Sequence, residues 1–278
     1  MNILITGGTG FFGKAFSSFL LENGLAEKVV IFSRDEVKQS VMRQSMPQYE
    51  MRWQIGDVRD LQRLSRAMHD IDVVVHAAAL KRIEVGAYNP DEMVKTNIVG
   101  TMNVIEAAIM NGVGKVVFLS SDKAYQPISP YGQSKALAES LILNANNITG
   151  PAGTRFAATR YGNVANSTGS VIPTWKALKA RGEKMVITDP DCTRFWMTAD
   201  EAVDLVWGTI ETMQGGELNV PELPAYRLGD LAEAMGVETE VIGLPAHEKK
   251  HESMQDGNGS EDARRMSIEE LRRGLENV

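Results

Sequence analysis

The chain has 278 residues, 43% of them hydrophobic, and a formal net charge of −7 at pH 7. This length allows one large domain or a dominant domain with a smaller annex, and the acidic balance argues against nucleic acid as a partner. The single cysteine, Cys192, excludes an internal disulfide and fits a reducing compartment. No stretch resembles a signal peptide or a membrane span, so we expect a cytoplasmic protein that does not act at a membrane.

Short apolar runs rich in β-branched residues alternate with stretches of helical spacing in the first part of the chain. Runs without polar alternation fit strands buried on both faces, and their alternation with helices favours a parallel sheet. Strands are predicted at Asn2–Thr6, Val29–Ser33, Met51–Ile55, Val73–His76, Val116–Ser120 and Phe156–Arg160. Helices are predicted at Phe12–Glu22, Leu61–Met68, Asp91–Asn111 and Tyr131–Asn147. We therefore predict an α/β fold with a doubly wound parallel sheet.

The strand and helix rhythm loosens beyond residue 163, where helices, short strands and several prolines follow one another. Helices are predicted at Ser170–Arg181, Asp200–Met213, Leu228–Met235 and, after a polar loop, Ser267–Leu275. We interpret residues 1–163 as a dinucleotide-binding core that also carries the catalytic residues. Residues 164–278 are interpreted mainly as a smaller substrate-binding portion, with some segments returning to the core.

A glycine-rich turn directly follows the first predicted strand and opens the first helix, which is the setting that a dinucleotide-binding turn requires. Gly7 would permit a tight turn, Gly10 would let the backbone approach a pyrophosphate, and Gly13 would allow close helix packing. The spacing is G-x-x-G-x-x-G, and not the G-x-G-x-x-G of many dehydrogenases. The residues assigned to cofactor binding here are Gly7, Thr9, Gly10, Phe11, Phe12 and Gly13.

The residues after the second strand bear on which nicotinamide nucleotide is bound. Many NAD-binding sheets end this strand with a carboxylate for the ribose 2′-hydroxyl. Here Arg34 and Lys38 could hold a 2′-phosphate, and Ser33 could donate a hydrogen bond to it. These three residues favour NADP, with Asp35 as the counter-evidence.

Further cofactor contacts are predicted at the ends of the third and fourth strands. Asp57 and Val58 fit an adenine contact, and the small side chains of Ala77, Ala78 and Ala79 leave room for the backbone to pass close to the cofactor. The neighbouring His76 is interpreted as a packed residue at a strand end and not as a catalyst.

A catalytic constellation is predicted after the fifth strand. Tyr131 and Lys135 lie four residues apart on one helix, so the Lys135 ammonium can approach the Tyr131 hydroxyl and favour a phenolate, which could accept an alcohol proton. Ser121, Asp122 and Lys123 end the preceding strand, at the edge where a doubly wound sheet places its active site. Asp122 and Lys123 offer an acid and a base that a simple alcohol dehydrogenase does not need. The alternative is that these two residues form only a salt bridge within a loop.

Nearly the whole chain resembles the extended short-chain dehydrogenase/reductase superfamily and, within it, the inverting UDP-N-acetylglucosamine 4,6-dehydratases that start pseudaminic acid biosynthesis for surface glycans. Superfamily-level matches are Thr6-Gly7-Gly8-Thr9-Gly10 and Ser121-Asp122-Lys123-Ala124, of which the Asp122-Lys123 pair is more specific. The other specific matches are Arg160-Tyr161-Gly162-Asn163-Val164 and Thr193-Arg194-Phe195-Trp196.

The resemblance implies a reaction sequence for these residues. Tyr131, assisted by Lys135 and Ser121, would take the C4 hydroxyl proton while hydride passes to NADP⁺. Lys123 in its neutral form would remove the C5 proton, and Asp122 would protonate the departing C6 hydroxyl. Hydride would then return to C6, with reprotonation from the opposite face inverting C5. Related retaining enzymes carry Glu at the position of Lys123.

The resemblance also implies contacts with a sugar nucleotide. These are assigned to Lys81, Asn97, Arg160, Asn163 and Arg194, of which Lys81 and Asn97 are also assigned to the cofactor. Arg194 would suit the diphosphate by charge and bidentate geometry. The superfamily often pairs two helices between subunits, so we expect a homo-oligomer formed through the Asp91–Asn111 and Tyr131–Asn147 regions.

The chain departs from the family pattern in three places. Phe11 stands where a small hydroxyl residue is common, and the stretch from Leu244 to Glu252 lacks the arginine of the family's Arg-Pro-Gly-Glu-Lys segment. The chain is also short for the family around residues 235–262. These differences bear on the phosphate contacts and on the exact sugar.

Two other interpretations stay open from the sequence, and one competing motif is weighed beside them. An NAD(P)-dependent sugar-nucleotide epimerase or reductase would share the cofactor site and the Tyr131 and Lys135 pair without needing Asp122 and Lys123. A catalytically idle NADP(H) sensor would usually lack the tyrosine and the lysine. The stretch from His247 to His251 matches the zinc-protease pattern H-E-x-x-H, but Pro245 and the lysines within it argue against the long helix of such sites, and we predict no metal.

Overall fold

The computed structural model describes residues 1–46 and 48–278, in which helices and strands alternate regularly as far as residue 159. In chain order the elements are β1 (Asn2–Thr6), α1 (Phe11–Glu22), β2 (Lys28–Ser33), α2 (Glu36–Ser45), β3 (Met51–Ile55), α3 (Leu61–Ala67), β4 (Val73–His76), α4 (Ile83–Tyr88), α5 (Pro90–Met93), a π-helical turn (Val94–Val99), α6 (Gly100–Met110), β5 (Lys115–Leu119), a 3₁₀ turn (Asp122–Ala124), α7 (Pro130–Asn144), α8 (Asn146–Thr149) and β6 (Arg155–Thr159). There follow α9 (Val171–Arg181), β7 (Met185–Ile187), β8 (Thr193–Phe195), α10 (Ala199–Thr212), β9 (Leu218–Asn219), β10 (Ala225–Arg227), α11 (Leu228–Met235), β11 (Thr239–Val241), β12 (Ser253–Gln255), β13 (Asn258–Gly259) and α12 (Ile268–Glu276).

Seven strands form one parallel sheet in the order β3-β2-β1-β4-β5-β6-β9. The order reverses between β1 and β4, and such a switch point opens a crevice at the carboxyl ends of the strands. Apolar cores cover both faces of the sheet, one including Val74 and Phe118 and the other including Ile5 and Val75. The predicted doubly wound α/β fold is confirmed.

The predicted elements differ from the observed ones in three instructive places. Helix α2 was not predicted, although Asp35 caps it by accepting a hydrogen bond from the backbone N–H of Lys38. The helix predicted at Asp91–Asn111 is three consecutive segments, because a π-helical turn at Val94–Val99 interrupts it. Strand β9 has only two residues and was not predicted, since so short a run carries no periodicity.

The second part of the chain divides between the main sheet and a separate apolar core. Helix α10 packs Val203, Val206 and Ile210 into the same core as Ile5 and Val75. A third core surrounds Trp175, Trp196 and Leu231 and is flanked by three two-stranded sheets, formed by β10 with β8, β11 with β7 and β12 with β13. Within residues 1–46 and 48–278, no helix is both long and apolar enough to cross a bilayer.

Candidate active site

The glycine turn lies at the carboxyl end of β1, against the loop that follows β4. Gly7 has φ +66°, a conformation that favours glycine, and a Cβ there would come within 2.9 Å of Ala78 Cα. The backbone N–H of Gly10 donates to the Gly7 carbonyl at 2.8 Å and Gly10 caps α1. A Cβ at Gly13 would overlap the Gly8 carbonyl oxygen, so α1 lies directly on the turn. This cradle has the close backbone approach and the helix N-terminus that a dinucleotide pyrophosphate requires.

Charged side chains gather beside this turn at the ends of β2 and β3. Arg34 lies 3.8 Å from the Asp57 carboxylate, which also pairs with Arg59 at 2.7 Å. Lys38 Nζ lies 3.3 Å from Asp35, whose carboxylate faces the first turn of α2 as its cap. The cations of Arg34 and Lys38 are thus exposed but each has a carboxylate neighbour.

His76 lies buried at the end of β4 between two threonines. Its Nδ1 is 2.7 Å from Thr6 Oγ1 and its Nε2 is 3.0 Å from Thr101 Oγ1. Burial, with a contribution from the charge of Lys135, lowers the pKa of His76 to about 3. The interpretation of His76 as a packed residue at a strand end agrees with these contacts.

Asn97, on the π-helical turn, connects the loop after β4 to helix α7. Its side chain accepts from Leu80 N at 2.8 Å and donates to Leu80 O and Ser134 Oγ, both at 2.9 Å. Its amide groups therefore hold the backbone beside the exposed Lys81. A π-helical turn of this kind is frequent at functional sites.

Ser121, Asp122 and Lys123 form a connected polar group after β5. Ser121 Oγ donates to Asp122 Oδ1 at 2.9 Å and accepts from Lys123 N at 3.3 Å, which fixes the 3₁₀ turn. Lys123 Nζ donates to Asp122 Oδ2 at 2.7 Å and to Asn163 Oδ1 at 2.9 Å, and lies 3.5 Å from Glu252 Oε1. Asp122 is only 1% exposed, so this is a buried charge cluster and not a loop salt bridge at the surface.

The charges around Lys123 decide its protonation. Burial alone would lower the pKa of Lys123, but the carboxylates of Asp122 and Glu252 outweigh burial and raise the pKa to about 12. Lys123 is therefore an ammonium at neutral pH in this structure. A neutral amine at this position requires a proton to leave Lys123 first.

Tyr131 and Lys135 lie near this cluster at the start of α7, but the predicted contact between them is not the observed one. Lys135 Nζ donates to the Leu119 carbonyl and lies 3.8 Å from the centre of the Phe118 ring, and burial lowers the pKa of Lys135 to about 7. Burial also raises the pKa of Tyr131, which a hydrogen bond with Ser121 partly opposes. The role of Lys135 in favouring a Tyr131 phenolate stays a prediction, since the contacts of its Nζ in this structure are the Leu119 carbonyl and the Phe118 ring.

The two predicted substrate arginines are both engaged with carboxylates. Arg160 Nε donates to Glu139 at 3.0 Å, and the same guanidinium also donates to the Met254 carbonyl. Arg194 pairs with Glu248 and donates to the carbonyls of neighbouring residues. Arg160 thus joins α7 to β12, whereas Arg194 holds the segment that precedes β12.

The H-E-x-x-H stretch from His247 to His251 forms turns and loops in place of the long helix of zinc proteases. Glu248 pairs with Arg194, and His251 Nδ1 lies 2.8 Å from Thr193 Oγ1. Across residues 1–46 and 48–278, no cluster of His, Cys, Asp and Glu has the arrangement of a metal site. The side chains of this stretch therefore support the fold around Lys123.

Sequence reasoning missed two residues of this cluster. Glu252 and Lys249 reach the catalytic loop from the end of the chain: Lys249 Nζ donates to the Tyr125 carbonyl at 2.6 Å and lies 3.7 Å from Glu252. The sequence pointed to Lys249 and Glu252 only through the family-like stretch around His251 and Glu252. Spacing along the chain does not predict which side chain contacts Lys123.

The sheet with its switch point, the glycine cradle and the Ser121, Tyr131 and Lys135 group define an extended short-chain dehydrogenase/reductase fold. The chain belongs to the family of polysaccharide biosynthesis proteins, which matches residues 3–271.

The chain is similar over nearly its full length to proteins named for two activities and to solved structures. A Campylobacter jejuni protein (serotype O:23/36, strain 81-176) named UDP-N-acetylglucosamine 4,6-dehydratase (inverting) is 49% identical over 256 residues, which cover 91% of this chain and 77% of that protein. A UDP-glucose 4-epimerase of Rickettsia conorii is 41% identical over 261 residues, which cover 91% of this chain and 76% of that protein. The X-ray structure of Pen from Bacillus thuringiensis is 36% identical, with a TM-score of 0.94, and covers 100% of this chain and 98% of that one.

Proposed function

We propose that the protein is a C5-inverting 4,6-dehydratase of UDP-N-acetylglucosamine that uses NADP, and thus a hydro-lyase. The observation that carries this proposal is the buried group of Asp122 and Lys123, joined by a 2.7 Å hydrogen bond beside Ser121 and Tyr131. Elimination of water needs an acid for the leaving hydroxyl and a base for the neighbouring carbon. The 49% identity to a Campylobacter jejuni protein named as this dehydratase supports the same reaction.

Each side chain has one chemical task in this reaction. The glycine cradle would hold the pyrophosphate of the dinucleotide, which when bound would supply the hydride chemistry between C4 and C6. Tyr131, beside Ser121, takes the C4 hydroxyl proton, and the resulting ketone acidifies the C5 proton. Lys123 removes the C5 proton and Asp122 protonates the departing C6 hydroxyl. Lys135 places its amine beside the Leu119 carbonyl, at the carboxyl end of β5.

The choice of NADP rests on the residues after β2. Arg34 and Lys38 provide two exposed cations next to the glycine turn, whereas the Asp35 carboxylate is engaged as the cap of α2. An anionic 2′-phosphate would compete with Asp57 for Arg34. Titration calorimetry with NADP⁺ and NAD⁺ tests this choice: Arg34→Ala should weaken NADP⁺ binding about tenfold and leave NAD⁺ binding nearly unchanged. Equal losses for both nucleotides would contradict a 2′-phosphate site at Arg34.

Incubation of the protein with UDP-N-acetylglucosamine in D₂O tests the reaction itself. We expect loss of one water, deuterium at C5 and an L-arabino 4-keto product, identified by mass spectrometry and NMR. Lys123→Ala should abolish the product. Unchanged substrate in the presence of bound NADP(H) would overturn the choice of substrate.

An epimerase is the second candidate, because a Rickettsia conorii protein 41% identical to this chain is named UDP-glucose 4-epimerase. Epimerisation at C4 releases no water and puts no solvent deuterium at C5. The same incubation, repeated with UDP-glucose, therefore separates the two activities. A protein that binds NADP(H) and alters neither sugar nucleotide would be the idle sensor.

We also propose that the protein is a homo-oligomer. Helices from Val94 to Met110 and α7 expose several large apolar side chains: Val94, Val99, Met102, Met110 and Leu137 are 39–62% exposed. An apolar face of this extent indicates a covered surface in solution. Light scattering after size-exclusion chromatography tests this proposal, and Met102→Glu should shift the population towards monomer.

A further inference from the structure

Glu252 is a buried carboxylate whose hydrogen bonding is incomplete. It is only 3% exposed, yet its Oε2 atom accepts no hydrogen bond from the residues that the structure describes. Its nearest cations are Lys123 Nζ at 3.5 Å and Lys249 Nζ at 3.7 Å. A buried carboxylate that lacks full hydrogen bonding is costly, so its position beside Lys123 calls for an explanation.

The proposed reaction needs Asp122 and Lys123 in protonation states opposite to those of the observed ion pair. Lys123 must be neutral to accept the C5 proton, and Asp122 must be protonated to donate to the C6 hydroxyl. Both states follow from one proton transfer along the 2.7 Å hydrogen bond from Lys123 Nζ to Asp122 Oδ2. An N–H bond breaks, an O–H bond forms, and the ion pair becomes a neutral base beside a neutral acid.

After this transfer Asp122 no longer offers a negative charge to Lys123. When Lys123 then takes the C5 proton, an ammonium forms beside a neutral carboxylic acid. Glu252 is the carboxylate that remains within 3.5 Å of that ammonium. An opposite charge at this distance favours the protonated amine and so makes the neutral amine a stronger base.

We propose that Glu252 is a positioning residue that acts through Lys123: its carboxylate is the standing counter-ion that keeps this amine strongly basic while Asp122 carries the proton. This role rests on the proposed dehydratase reaction. It assigns a task to a residue from the C-terminal part of the chain.

Other charged groups surround the cluster and set the background for this effect. Arg194, from β8, lowers the pKa of Lys123 by repulsion, and Lys81 faces it from the loop after β4. Lys249 faces Glu252 from the same segment, and the Tyr131 hydroxyl faces Lys123 from α7. Asp122 and Glu252 are the two carboxylates that raise the pKa of Lys123.

The test compares Glu252→Gln, which removes the charge and keeps the shape, with Glu252→Asp, which keeps the charge. Glu261→Gln is the matched control, because Glu261 is an exposed carboxylate of the same segment, placed 3.8 Å from His251. Thermal unfolding of all three variants first establishes that they fold.

The first measurement uses the full-length protein without substrate. Acetic anhydride labels neutral amines, and mass spectrometry reports the labelling rate of Lys123 as pH rises. Removal of a neighbouring charge shifts a pKa by one unit or more, so Glu252→Gln should label at least about tenfold faster at pH 9. Glu252→Asp and Glu261→Gln should label like the parent protein. An unchanged labelling rate in Glu252→Gln would overturn the proposal.

The second measurement follows deuterium uptake at C5 against pH, with nicotinamide reduction by substrate recorded separately at 340 nm. Glu252→Gln should slow C5 exchange about tenfold or more and move both limbs of the pH profile of this exchange to lower pH. The rate of nicotinamide reduction should stay within about twofold of that of the parent protein. Equal slowing of both steps without a shift in pH would indicate a merely structural role. If the parent protein forms no product, the proposed function fails, whereas the labelling of Lys123 still decides whether Glu252 is its counter-ion.

Discussion

The glycine cradle and the charge cluster at Lys123 lie at the same edge of the sheet, yet they are built in different ways. The cradle is made from consecutive residues, Gly7 to Gly13, whose geometry depends on backbone conformation and the absence of side chains. The cluster joins the consecutive residues Asp122 and Lys123 to Asn163 and Glu252, which are far away in the chain.

Because of this difference, the two regions are sensitive to different kinds of substitution. Backbone contacts in the cradle tolerate changes of neighbouring side chains but not an added Cβ, because there is no space for one at Gly7 or Gly13. In the cluster the function depends on charge balance, so the loss of one carboxylate alters the protonation of all its partners. The variants below separate these two kinds of sensitivity.

The largest effect is expected for Asp122→Asn in the charge cluster. The variant keeps the shape but removes the proton donor and the nearest counter-ion of Lys123, so product formation should fall about 10²- to 10⁴-fold. Single-turnover kinetics should still show nicotinamide reduction by substrate, because Tyr131 is untouched. The comparison variant Tyr131→Phe should lose both steps. Loss of nicotinamide reduction in Asp122→Asn would mean that the two functions are not separable.

The next effect concerns the buried ion pair of Arg160 and Glu139, which joins α7 to the segment that carries Glu252. Arg160→Ala leaves a buried carboxylate unpaired and should lower the free energy of unfolding by about 3–5 kcal/mol. Arg181→Ala is the matched control, since Arg181 pairs with Glu183 at the surface, where solvent screens the pair and its loss should cost far less. Urea denaturation measures both variants, and equal costs would contradict a special role of burial.

A smaller effect is expected for Gly13→Ala in the cradle. The added Cβ would overlap the Gly8 carbonyl, so α1 must move, and we expect a loss of about 1–3 kcal/mol of stability. Gly208→Ala, within α10 and with no atom near the added Cβ, should instead stabilise the protein by about 0.5–1 kcal/mol. Denaturant titration of the two variants should give opposite signs, and a neutral Gly13→Ala would show that the turn can relax.

The last effect is a pH dependence of stability that arises from His76, which is small near neutral pH and grows as pH falls. The unfolded chain binds a proton near the ordinary pKa of 6.5, whereas burial holds the pKa of the folded protein at about 3. As pH falls from 6.5 towards 3 the unfolded state therefore gains a proton first, and stability should drop by about 1.4 kcal/mol per pH unit. His76→Gln should flatten this slope in urea titrations, and His69→Gln, at an exposed site, should not. An identical slope in His76→Gln would assign the acid sensitivity to other groups.

Much of the fold could be predicted because its signals are local. The six predicted strands match β1 to β6 within one residue at each end, since each is a short apolar run bounded by glycine or polar residues. Helix α4 and strand β9 were missed because their sequences carry little periodicity and their positions depend on packing. The π-helical turn at Val94–Val99 also depends on tertiary contacts, through the hydrogen bonds of Asn97 to Leu80 and Ser134.

The sequence by itself determined the doubly wound sheet, the glycine cradle and the presence of Asp122, Lys123 and Tyr131 at one sheet edge, because consecutive residues and strand ends carry that information. Only the tertiary structure decided the protonation of Lys123, the backbone acceptor of Lys135 and the approach of Glu252. A pKa depends on burial and on charges within a few ångströms. In this protein Asp122 is adjacent to Lys123, whereas Glu252 and Arg194 come from distant parts of the chain that the fold alone brings together.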